Sequence, residues 1–90
     1  MELTELRGEI DRIDRELVSL LERRMDAVAD VAAWKKAAGA PILDAGRELA
    51  KLQAVSDMCR PETAELIAGL FSELMAASRA YQARLMEREP

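Results

Sequence analysis

Along the N-terminal stretch, apolar residues recur at three-four spacing. Leu3, Leu6, Ile10, Ile13, Leu17 and Leu20 form the series, and Ala27, Val31 and Trp34 continue it. That period predicts an amphipathic helix over about Leu3–Ala38. Gly8 is the one weak helix former within it, and Gly39 and Pro41 supply the stop. A short second helix is predicted over about Ala45–Met58, with Asp44 as its N-cap. A third is predicted over about Pro61–Arg88, where Pro61 suits the first turn and Glu62 and Glu65 suit the positive end. No segment alternates like a strand. The predicted class is all-α, a single domain over residues 1–90 built from a long, a short and a long helix.

Length adds a constraint. A helix of about 35 residues is about 50 Å long, whereas a compact ninety-residue globule is only about 30 Å across. The first helix must therefore protrude, and its protruding end carries Leu3, Leu6, Ile10 and Ile13. Such a stripe needs cover, and a second copy of the chain is the simplest cover, so an intertwined helical homodimer is expected.

Polar residues interrupt these stripes. Arg24, Val28, Val31 and Lys35 share one face of the first helix, and eleven residues between Arg24 and Lys35 make three turns, roughly 16 Å. In the third helix Phe71, Met75, Ser78, Gln82 and Leu85 share a face, beside a stripe of Ile67, Leu70, Leu74, Ala77 and Tyr81. Singly, each interruption has an ordinary structural reading. Arg24 fits a snorkelling or register-fixing side chain. Lys35 fits a cation at a helix C-terminus. Ser78 and Gln82 fit satisfied core polar groups, and Arg47 fits a surface position, although an arginine in a first turn opposes the helix dipole unless an anion is near. Together they suggest a site for a small dianionic ligand. Arg7 lies seventeen residues before Arg24, roughly 25 Å along the axis and about 100° around it, so it cannot serve the same site as Arg24 on one straight helix; if Arg7 is functional, it serves a site on the other subunit.

Composition narrows the chemistry. The chain has 90 residues, 50% hydrophobic and 33% charged, which suits a folded protein. A net charge of -4 argues against nucleic acid and against an anionic membrane surface, so a cationic site must be local. The single cysteine, Cys59, excludes an internal disulfide and fits a reducing compartment. Histidine is absent, which removes the commonest general base and metal ligand. No metal and no cofactor are expected. No run is long enough to span a bilayer, and Met1 leads into Glu2, Leu3 and Thr4 without a signal region, so a cytoplasmic location is expected.

Four stretches carry a resemblance: LRGEIDRID at 6–14, ERRMDAVADVAAWK at 22–35, PILDAGRE at 41–48 and LFSELMAASRAYQ at 70–82. In this order they resemble the all-helical class of chorismate mutases, and they cover nearly the whole chain. The resemblance implies a homodimeric isomerase that rearranges chorismate to prephenate. Arg7 would reach into the partner's site and Arg24 would lie in its own, both pairing with substrate carboxylates. Lys35 would contact the ether oxygen and a carboxylate. The Asp44 backbone and the Glu48 side chain would hold the ring hydroxyl. Arg47 and Ser78 would line the site, and Gln82 would donate to the ether oxygen, making Lys35, Gln82 and Arg24 the catalytic set. One departure is Ala45-Gly46 after Asp44, where relatives often carry proline.

The implied reaction is pericyclic and needs no proton transfer, which suits a chain without histidine. It needs a restrained conformer and donors where charge develops on oxygen. Other readings stay open: a mutase acting on 4-amino-4-deoxychorismate, an isochorismate-pyruvate lyase, or a non-catalytic helical dimerisation module. Glu48 would accept a hydroxyl and would also welcome an ammonium group. Within these residues no additional catalytic or ligand-sensing domain is expected.

Overall fold

The computed structural model describes residues 1–88. It contains α1 over Leu3–Ala38, α2 over Ala45–Met58 and α3 over Pro61–Arg88, with no strand among the described residues. The expected helix bounds are met at both ends of each element, for the expected local reasons. Gly39 ends α1 in the left-handed conformation at φ 68°, which a β-carbon would strain. Its N–H bonds back to the Lys36 carbonyl at 3.3 Å, and the Ala40 N–H reaches the Lys35 carbonyl at 2.9 Å.

Asp44 caps α2 as expected, its Oδ1 accepting the Arg47 N–H at 3.1 Å. Its carbonyl accepts the Glu48 N–H at 3.1 Å. The first turn is therefore regular through Ala45-Gly46, and the glycine does not disturb it. Between α2 and α3 the Cys59 thiol donates to the Val55 carbonyl at 3.2 Å. The Arg60 carbonyl accepts the N–H groups of Thr63 and Ala64, both at 3.1 Å, which anchors the first turn of α3.

α3 packs against both α1 and α2, which do not pack directly on each other. Ala32 of α1, Val55 of α2 and Met75 of α3 form the buried apolar core, at 2%, 3% and 7% exposure. That is a thin core for three helices. The molecule measures 54 × 27 × 14 Å with a radius of gyration of 16.3 Å, well above the about 12 Å of a compact chain this long. α1, with 36 residues, accounts for the long dimension at about 1.5 Å per residue.

The leucine stripe of α1 faces away from this core. Leu3, Leu6, Ile10, Ile13, Leu17 and Leu20 are all exposed, as are Val31 and Trp34 further along. α1 becomes covered only from Leu21 onward, where Leu21, Met25, Val28 and Ala29 are half-buried and Ala32 is buried. The expected second stripe of α3 is also incomplete, since Leu70 and Ala77 are exposed. No helix among the described residues is long and apolar enough to cross a membrane.

Candidate active site

On a helical projection, Leu3, Leu6, Ile10, Ile13 and Leu17 lie within an arc of about 80°. The same arc continues into Arg24, Val28, Val31 and Lys35. One face of α1 is thus apolar in its first half and cationic in its second. The second half meets the first turns of α2 and the middle of α3 around a cleft of about 150 Å³, and a cavity of about this size holds a benzene-sized ring.

Seven of the eight residues expected at a site line this cleft: Arg24, Lys35, Asp44, Arg47, Glu48, Ser78 and Gln82. Arg7 is absent from its lining, and it is exposed on the protruding half of α1. Three helices and the α1–α2 connection converge here, and hydrogen bonds set Arg24 and Lys35. The Arg24 guanidinium donates from Nη1 to Ser78 Oγ at 2.5 Å. The Ser78 hydroxyl in turn donates to the Leu74 carbonyl at 2.9 Å. Ser78 is 5% exposed, so a buried hydroxyl with both capacities used fixes where Arg24 points. A guanidinium has five N–H donors, and this contact leaves others for a ligand.

The Lys35 ammonium donates to the Ile42 carbonyl at 2.6 Å. This ties the connection between α1 and α2 back onto α1 and leaves two of the three ammonium protons for the cleft. Gln82 is different. It is 7% exposed, and its Oε1 is fully buried with no hydrogen-bond partner. An unpartnered buried carbonyl oxygen costs about 1–3 kcal/mol and calls for a donor, while the amide nitrogen, which makes no hydrogen bond among the described residues, stays available to an acceptor.

The cleft also contains residues beyond the sequence expectation: Ile42, Lys51, Met75 and Arg79. Arg79 forms an ion pair with Glu48, Nη1 to Oε1, joining α3 to α2. Lys51 sits one turn beyond Arg47 on α2, a spacing visible in the sequence. Arg79 had no such signal, because only packing of α3 on α2 brings it to Glu48. Altogether Arg24, Lys35, Arg47, Lys51 and Arg79 line the cleft together with Asp44 and Glu48. A chain of net charge -4 therefore concentrates cations at one place, suited to a ligand with more than one negative charge.

The family described as chorismate mutase type II matches residues 6–83. A protein named T-protein from Haemophilus influenzae is 46% identical to this chain over 52 residues. That similarity covers 58% of this chain and 14% of the relative, so the chain spans only a small part of the curated relative it matches. No solved structure matches.

Proposed function

Since this chain belongs to the chorismate mutase type II family, we propose that it converts chorismate to prephenate by an intramolecular Claisen rearrangement. The ring–oxygen bond of the enolpyruvyl ether breaks while a carbon–carbon bond forms between the enolpyruvyl methylene and the ring. No atom is gained or lost, and no proton acceptor is required.

The observation that carries this reading is Gln82, buried among the cations of the cleft with its amide nitrogen uncommitted to any partner among the described residues. In the proposed complex Gln82 and Lys35 donate to the ether oxygen as negative charge develops on it. A donor placed where charge grows lowers the barrier more than it stabilises the substrate. Arg24, oriented by Ser78, pairs with one substrate carboxylate, and bidentate geometry favours arginine for that task. Arg47 lines the anionic end. The Asp44 backbone and Glu48 hold the ring hydroxyl. Fixing the enolpyruvyl arm over the ring supplies the conformational restraint that a unimolecular reaction needs.

The proposal extends to a homodimer. The exposed stripe of α1, from Leu3 to Val31, is centred on Leu17. An antiparallel second copy with its two-fold axis at Leu17 sets Arg7 of the partner subunit opposite Ala27, between Arg24 and Lys35. Each site then has a second arginine, for the second carboxylate, and each stripe is covered. The homodimer is also the natural remedy for a core as thin as Ala32, Val55 and Met75.

The direct test is incubation of purified protein with chorismate, with the product identified by proton NMR. Prephenate is the expected product. Pyruvate release would indicate a lyase instead. Absence of conversion, together with no binding of a bicyclic dicarboxylate transition-state analogue, would leave a dimerisation module as the better reading.

A further inference from the structure

We propose that Arg79 is a specificity-determining residue, which makes the cleft accept a substrate with a neutral hydroxyl beside Glu48 and reject one with an ammonium group there. The inference rests on the mutase reading above and decides a substrate choice that the family leaves open.

The argument starts from the carboxylates of the cleft, Asp44 and Glu48. The Asp44 carboxylate is engaged as the cap of α2 through the Arg47 N–H. The Glu48 carboxylate is engaged by Arg79 through Oε1. Glu48 and Arg79 come from different helices, and their side chains are 25% and 34% exposed, so the pair stands at the cleft wall with its charges only partly screened. The second oxygen of Glu48 makes no hydrogen bond among the described residues.

A carboxylate in that state can still accept from a neutral hydroxyl. It no longer offers uncompensated negative charge to a cation. An ammonium group at the same position would meet the Arg79 guanidinium at close range, with Lys51 and Arg47 also lining the cleft. Repulsion of this kind discriminates between partners more than it strengthens the preferred one. Removal of the guanidinium would free Glu48 as a lone carboxylate and reverse the logic.

The test compares kcat/KM for chorismate and for 4-amino-4-deoxychorismate, in the unaltered protein and in Arg79→Ala and Arg79→Lys. The unaltered protein is expected to favour chorismate by at least about tenfold, Arg79→Ala to cut that ratio at least about tenfold through a lower KM for the amine, and Arg79→Lys to stay within about threefold of the original. A merely structural Arg79 would slow both substrates alike, and an unchanged ratio in Arg79→Ala overturns the proposal. So does an unaltered protein that prefers the amine, a result that needs no variant to fold. Conversion of neither compound by the folded protein overturns the mutase reading itself, and the selectivity with it.

Discussion

At the scale of single residues, Gln82 and Ser78 occupy similar positions one turn apart on α3, yet they do opposite things. Ser78 spends its hydroxyl on Arg24 and Leu74, whereas Gln82 leaves its amide unspent. A neutral amide donates at any ordinary pH, while a carboxyl group donates only when protonated. Gln82→Glu is therefore expected to retain activity near about pH 5 and lose about a hundredfold by about pH 8, since burial raises a carboxyl above its usual value and protonation is lost as pH rises. A pH–rate profile checks this, and undiminished activity at the alkaline end would refute the ether-oxygen role. Residues that break a stripe, such as Arg24 and Gln82, were legible in the sequence because periodicity exposes them. Arg79 breaks no stripe. Its meaning comes from Glu48, on another helix, so no local pattern could announce it.

At the scale of elements, the helix bounds were legible because each has a chemical cause within a few residues. Gly39 supplies positive φ, Asp44 a capping oxygen and Pro61 a preset first turn. Ala45-Gly46, the one departure from the family's pattern, does not loosen the first turn of α2, because the Asp44 cap closes the turn around it. A β-carbon at Gly46 would find its nearest neighbour, Asp44 Oδ1, at 3.9 Å, an ordinary contact. Gly46→Ala is thus expected to raise stability by about 0.5–1 kcal/mol through reduced freedom of the unfolded chain. Asp44→Ala is expected to cost about 1 kcal/mol through loss of the cap. Urea denaturation followed by circular dichroism measures both, and a destabilising Gly46→Ala would show that the first turn needs glycine.

At the scale of the whole molecule, the protrusion of α1 was legible from its length, whereas the cover of its stripe was not, since periodicity reports that a face is apolar and not which surface covers it. Within the chain the face is bare. If two copies share each site, Arg7→Ala and Arg24→Ala, each inactive alone, are expected to regain up to about a quarter of full activity when mixed under exchange. Random pairing makes half the dimers mixed, and one of the two sites in each mixed dimer then holds both arginines. Subunit exchange shown by mass spectrometry without recovered activity would rule out the shared site. The contrast between the cleft and the rest of the chain reaches further, into encounter kinetics. An approaching dianion feels the net charge of -4 first and the cationic wall only near the mouth. At about 0.1 M ionic strength the screening length is about 10 Å, so added salt weakens the distant repulsion together with the short-range capture. The two effects oppose each other. Substrate association should therefore vary less with ionic strength than it does for an enzyme whose whole surface shares the sign of its site.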